Sequence, residues 1–144
     1  MATRFFGQFQ HTLDDKGRLI LPAEFRKALE DGAFVGPFPG GCLVIYTSER
    51  FDEVSEDITQ SAKAGGTEEG INAARSFFSS VQQVTPDRQG RILIAPRLRG
   101  AAHLERDVIV TGQQNRIELW APERWEPVEE LGQAELARRP SWGM

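Results

Sequence analysis

Residues 87–99 read DRQGRILIAPRLR, and residues 14–26 read DDKGRLILPAEFR. At an offset of 73, Asp14 meets Asp87, Gly17-Arg18 meets Gly90-Arg91, Leu19-Ile20-Leu21 meets Ile92-Leu93-Ile94, and Phe25-Arg26 meets Leu98-Arg99. One inserted residue later the match resumes. Leu43-x-Ile45-Tyr46 pairs with Ile117-x-Leu119-Trp120, and Glu49-Arg50-Phe51 with Glu123-Arg124-Trp125. Two blocks in the same order at nearly one offset establish an internal duplication. The period is too long for a solenoid repeat. The recognisable core of each copy, about 40 residues, is close to the size at which an isolated domain fails to bury enough surface. The two copies are therefore expected to pack on each other as an intramolecular pseudo-dimer.

Local chemistry predicts the elements of each copy. Phe5 to Leu13 reads as a strand, Asp14-Asp15-Lys16-Gly17 as a turn with Gly17 free to adopt positive φ, and Arg18 to Leu21 as a short strand stopped by Pro22. Phe25, Ala28 and Leu29 then give a helical face of two turns. Gly36 to Gly41 is expected to be a linker into the strand Cys42–Thr47, and Val108–Thr111 with Arg116–Trp120 to form a hairpin. Ser48 is placed to cap a helix with Phe51, Val54, Ile58 and Ala62 on one face, ended by Ala64-Gly65-Gly66. Thr67 is placed to cap a second helix carrying Ile71, Ala74, Phe78 and Val81. Beyond Trp125 the tail is expected to be partly helical (Val128, Leu131, Ala134) and to fray towards Met144.

Composition narrows the class. With 144 residues, 40% hydrophobic and 26% charged, the chain is neither a disordered tail nor a collagen-like repeat nor a polytopic membrane protein. Arg4 leads into Phe-Phe-Gly-Gln-Phe, so no basic segment followed by an apolar one opens the chain. A single cysteine cannot form an internal disulfide, which suits a reducing compartment. The expectation is a soluble cytoplasmic protein with no membrane partner. The net charge of −4 is unevenly spread: Thr85 to Arg99 holds four arginines and one acid, whereas Ser48 to Gly70 holds seven acids and two bases. Nucleic-acid binding depends on where positive charge lies, so an acidic total leaves it open.

No catalytic constellation emerges, and no cofactor is expected. His11 and His103 are far apart in sequence and read as structural or solvent-facing, and Cys42 has no partner at metal-ligand spacing. Walker, dinucleotide-binding, nucleophile-elbow and zincin motifs are lacking from the sequence. The two prolines within Gly36–Gly41 remove backbone donors that a phosphate would need. An enzyme has no nucleophile–base pair to work with.

The two D-x-x-G-R turns carry the information. Asp14 and Asp87, with Gly17 and Gly90, are expected to organise the loops, the aspartate accepting backbone N–H groups or pairing with the arginine four positions on. Two readings follow. Lys16 and Arg18, with Arg88 and Arg91, face phosphates or base edges together, since the planar guanidinium suits both. Alternatively, these are well-made hairpin turns whose arginines are spent on intramolecular ion pairs. The duplication favours the first, because a paired site at fixed separation is what a reader of a helical nucleic acid needs.

These residues resemble the MraZ family, a duplicated branch of the SpoVT/AbrB-like group. The resemblance rests on two copies of D-x-x-G-R-[LI]-[LI]-[LI] and covers roughly residues 4 to 130; DRQGRILIAPRLRGAAHL and VTGQQNRIELW in the second copy are especially close. It implies a mainly β, α+β fold in which two swapped-hairpin units form one pseudo-symmetric β-barrel. The implied division is a first repeat at 4–51, a helical connector at 52–79, a second repeat at 80–127 and a C-terminal tail at 128–144. It also implies a sequence-specific regulator that binds double-stranded DNA at direct repeats upstream of the division and cell-wall gene cluster. Such a regulator acts as a repressor, assembles as a ring-like homo-oligomer and resides at the nucleoid. Its DNA contacts carry over to Asp14 and Arg18 and to Asp87 and Arg91; Lys16 and Arg88 are added here from charge and loop position. The rival from the same fold group is an antitoxin-like module whose partner is another protein. Two departures stand out: Ala95-Pro96 replaces Pro22-Ala23, and Arg88-Gln89 replaces Asp15-Lys16.

Overall fold

The computed structural model describes residues 3–143. The first copy supplies β1 (Gln8–Thr12), β2 (Arg18–Ile20), α1 (Ala23–Leu29), β3 (Ala33–Phe38) and β4 (Cys42–Thr47). Two helices follow, α2 (Ser48–Gly65) and α3 (Glu68–Ser80). The second copy repeats the order with β5 (Gln82–Val84), β6 (Arg91–Leu93), α4 (Pro96–Ala101), β7 (Asp107–Gly112) and β8 (Ile117–Trp120). The chain closes with α5 (Pro122–Ala137) and a 3-10 turn at Pro140–Trp142. Among the described residues no helix is long and apolar enough to cross a membrane.

Strand pairing shows how the copies meet. β2 and β6 form an antiparallel ribbon in which Leu19 lies opposite Ile92, its own counterpart in the repeat. β4 and β8 do the same with Val44 opposite Glu118. A residue paired with its own equivalent marks a local two-fold, as in an isologous dimer interface. The first strand of each copy is exchanged: β1 pairs with β7, and β5 pairs with β3. The main sheet is thus mixed in origin, in the order β1-β7-β8-β4-β3-β5.

This architecture is α+β and antiparallel, but the strands do not close into the barrel that the resemblance implies. Among the described residues no ladder joins β1 to β5. The inner face of the sheet is covered instead by the β2–β6 ribbon and the two short helices. Leu19, Leu21, Phe25 and Leu29 from one copy, and Ile92, Ile94 and Leu98 from the other, pack with Val35, Leu43, Ile45, Val110, Ile117 and Leu119 in one buried cluster. The hydrophobic effect is satisfied by this lid, so closure by hydrogen bonding is not needed.

Several local expectations shift. Gly36–Gly41 is not wholly a linker: β3 runs through Pro37 to Phe38, and the turn shrinks to residues 39–41. Pro37 is tolerated because β5 pairs only with residues 33–35, so the ladder that would need its missing N–H has already ended. The cap of α2 is Thr47, whose hydroxyl accepts the Arg50 N–H, while the Ser48 hydroxyl donates to the Gly32 carbonyl. Thr67 caps α3 by accepting the Gly70 N–H. The proline shift between copies leaves the helix starts in register, because Pro22 and Ala95 take the same extended conformation just before α1 and α4. α5 is one continuous helix through Pro127. The fraying expected towards Met144 ends on a residue outside those described.

On the outer face, Phe51 of α2 stacks on Phe34 with ring centroids 4.1 Å apart and contacts Phe77 of α3, which docks the helical pair on β3 and β4. Beside it, Trp125 of α5 packs on Trp120 with Cys42, Ile109 and Phe38. Burial pushes the Cys42 thiol up to about 12, so it stays protonated and inert at neutral pH.

Candidate nucleic-acid interface

Each D-x-x-G-R segment folds as a braced turn. In the first, the Gly17 N–H donates to the Asp14 carbonyl and the Asp14 N–H to the Arg18 carbonyl, with Gly17 at φ +81. The Asp14 carboxylate then ties the loop together. Its Oδ1 accepts the N–H groups of Lys16 and Arg18 at 2.9 and 2.8 Å, and its Oδ2 accepts Arg18 Nε at 2.7 Å. The second turn repeats this. Asp87 Oδ1 accepts the N–H groups of Gln89 and Arg91 at 2.9 and 3.0 Å, Oδ2 accepts Arg91 Nε at 2.8 Å, and Gly90 sits at φ +76. The N–H of Arg18 or Arg91, and then its guanidinium, hold each carboxyl below the ordinary range.

The two readings of the arginines are therefore compatible. Arg18 and Arg91 do form intramolecular ion pairs, but each pairing uses Nε. Among the described residues the terminal NH2 groups carry no hydrogen bond, and they are aimed by the brace. Lys16 and Arg88 are exposed at the tips of the turns.

The ribbon sets the spacing. Because β2 and β6 are antiparallel, the two turns lie at its opposite ends. Arg18 stands across from Leu93, and Arg91 across from Ile20, so the four side chains share the outer face while Leu19 and Ile92 point into the core. The arginines are diagonal neighbours, about 7–8 Å apart at Cα.

Each turn is completed by the opposite copy, through residues that the sequence motifs alone do not single out. Arg26 donates from Nε to the Leu21 carbonyl and lies against Gly90; Arg99 donates to the Ile94 carbonyl and lies against Gly17. A Cβ at Gly90 would stand 2.5 Å from Arg26 Nε, and one at Gly17 would stand 2.7 Å from Arg99 Cζ. The Leu21 N–H donates to the Gly90 carbonyl and the Ile94 N–H to the Gly17 carbonyl, which locks the exchange. Arg26 and Arg99 occupy matched positions in the duplication, and that was the available signal.

The corners differ in charge. Ala23, Arg26, Lys27, Glu30, Asp87 and Arg88 line a hollow beside the second turn. At the first turn Gly100 and His103 occupy the positions of Lys27 and Glu30, and Asp15 that of Arg88. His11 on β1 is held below its ordinary value, by burial first and by Arg26 second, so it adds no charge here at neutral pH.

The family model described as "MraZ protein, putative antitoxin-like" matches residues 5–71 and 77–140. A protein of Roseiflexus sp. (strain RS-1), named Transcriptional regulator MraZ, is 40% identical over 124 residues, covering 86% of this chain and 85% of the relative. Proteins of the same name from Parafrankia sp. (strain EAN1pec) and Thermomicrobium roseum are 41% and 37% identical, covering 85% and 91% of this chain and 84% and 91% of their own lengths.

Proposed function

The chain belongs to the MraZ family, and from that premise we propose that it is a transcriptional regulator, not an enzyme, that binds double-stranded DNA through the β2–β6 ribbon and its braced turns. The observation that carries this reading is the ribbon's outer face. Two arginines on a diagonal, held by Asp14 and Asp87, project from a two-stranded antiparallel ribbon whose other face is core. A B-DNA major groove admits a ribbon of this kind, and arginine pairs with guanine or phosphate there. Arg18 and Arg91 are assigned to base edges or phosphates, Lys16 and Arg88 to flanking phosphates, and Asp14, Gly17, Asp87 and Gly90 to shaping the turns. Arg26 and Arg99 back the turns from the opposite copy.

The finer reading is a repressor acting from the nucleoid on direct repeats upstream of the division and cell-wall gene cluster. It works as a ring of identical subunits, each with repeats at 4–51 and 80–127 joined by a connector at 52–79 and followed by a tail at 128–144. A ring reconciles the acidic total with DNA binding. Non-specific contacts alone give Kd values of about 10⁻⁴–10⁻⁶ M, and linked subunits raise the effective concentration of each later contact.

The test is fluorescence anisotropy with a duplex from upstream of the protein's own gene against a scrambled duplex, at about 0.15 M salt, where surface charges are screened beyond ~8 Å. A preference of about a hundredfold or more, rising with the number of repeats, is expected. The family description as antitoxin-like favours a second reading, a protein-binding module. Equal and weak binding to both duplexes would replace the first reading with that one.

A further inference from the structure

We propose that Ile20 and Leu93 read thymine methyl groups, an inference that rests on the DNA-binding assignment above. These two are repeat equivalents, and they are 42% and 53% exposed on the ribbon's outer face. Each stands directly across from an arginine, Ile20 from Arg91 and Leu93 from Arg18. Neither is needed by the core, which Leu19 and Ile92 fill from the opposite face. Exposed aliphatic side chains scattered singly need no explanation. Here, though, they make up half of a four-residue face whose other half is cationic, and both copies of the duplication place one at the same position.

The occupant of such a face must offer negative charge and an apolar group within one side chain's reach. The arginines select a polyanion, and the floor of a major groove provides one apolar group, the thymine C5-methyl. Arginine and aliphatic are then read together. When the guanidinium of Arg91 or Arg18 engages one base pair, the residue across the ribbon lies against a neighbouring one. Leu93 is further fixed by Gln82, whose side-chain amide donates to the Leu93 carbonyl while its oxygen accepts the Ala95 N–H. The apolar element of recognition is thus held on a rigid strand and not on a turn.

The experiment compares the upstream duplex with the same duplex carrying deoxyuridine at every thymine, which deletes the methyl groups and leaves the hydrogen-bonding pattern intact. The unaltered protein should bind the thymine duplex more tightly by about fourfold for each methyl covered, the factor that burying one such group is worth. In Ile20→Ser/Leu93→Ser, serine carries no methyl to meet that of a thymine. That variant should lose the discrimination and retain its salt dependence, with an unchanged circular dichroism spectrum. An Ile20→Asn/Leu93→Asn variant should behave alike. Equal binding of both duplexes by the unaltered protein would overturn the inference and leave the DNA-binding assignment intact. So would discrimination that survives in the variants. Failure to prefer the upstream duplex over a scrambled one would remove both.

Discussion

The two corners of the ribbon are copies of one motif, and they agree in their backbone and disagree in their charge. Asp14 and Asp87 brace their loops through the same three hydrogen bonds, and the arginine Nε distances are 2.7 and 2.8 Å. Arg26 and Arg99 serve the two corners alike; around them the second turn carries Arg88 and Gln89 beside Lys27 and Glu30, whereas the first turn carries Asp15 and Lys16 beside Gly100 and His103. A turn is fixed by aspartate, glycine and backbone donors, so it tolerates change only at residues outside the brace. Those outside residues set the local potential. A pseudo-symmetric fold can therefore present an unsymmetric face to its partner.

The largest effect should come from stripping cations. Arg88→Ala/Arg91→Ala should weaken binding to the upstream duplex by about a hundredfold, and Lys16→Ala/Arg18→Ala by about tenfold, because Asp15 already offsets part of the first corner's charge. Titrations at several salt concentrations would measure both, with slopes shallower by roughly one for each phosphate no longer neutralised. Folding should be unaffected, since exposed ion pairs contribute little. Equal losses of affinity would mean that the corners act alike despite their charges.

Next come the glycines. Gly90→Ala and Gly17→Ala should each destabilise the fold by about 1–3 kcal/mol, because each puts a Cβ at positive φ under a packed arginine. The larger loss is expected at Gly90, where Arg26 Nε, Cδ and Cζ would lie at 2.5, 2.6 and 2.9 Å. Urea denaturation would measure it. Unchanged midpoints would show that neither arginine seals its turn.

The smallest effect, and the one that should be equal in the two corners, is on acid titration. Both aspartates are held below their ordinary value of 3.8, chiefly by a backbone N–H. A depressed folded-state value means that the brace is fully present above 3.8 and is lost only as pH falls through the lower folded value. Carboxyl NMR titration should find both below 3.8. A single depressed aspartate would break the claim that the brace is shared.

Much of this was legible in the sequence, and the limits have physical reasons. The duplication, the braced turns and the helix punctuation at Pro22, Thr67 and Gly66 are local, so residue identity reveals them. Which strand pairs with which is not local. Nothing in Phe5–Leu13 says that its partner is β7 of the other copy. The strand around Pro37 was hidden because a proline argues against a strand unless the ladder's end is known. Arg26 and Arg99 were visible as matched positions, but their role depends on crossing to the opposite turn, which only the three-dimensional exchange reveals. The open sheet followed from the lid formed by the inner residues of both copies, a property of packing and not of pattern.

The exchange of first strands has a consequence for how the chain is made. β1 emerges first, yet its partner spans Asp107–Gly112, so nearly a hundred residues must be synthesised before it can pair. At ~5–20 residues per second the nascent chain waits about 5–20 s with Phe5, Phe9 and Leu13 uncovered. Such long sequence separation also slows folding once the chain is free, because loop closure must precede any reward from pairing. Neither half can mature ahead of the other on the ribosome. A truncated product would leave apolar strands open to whatever chaperones or proteases survey incomplete chains.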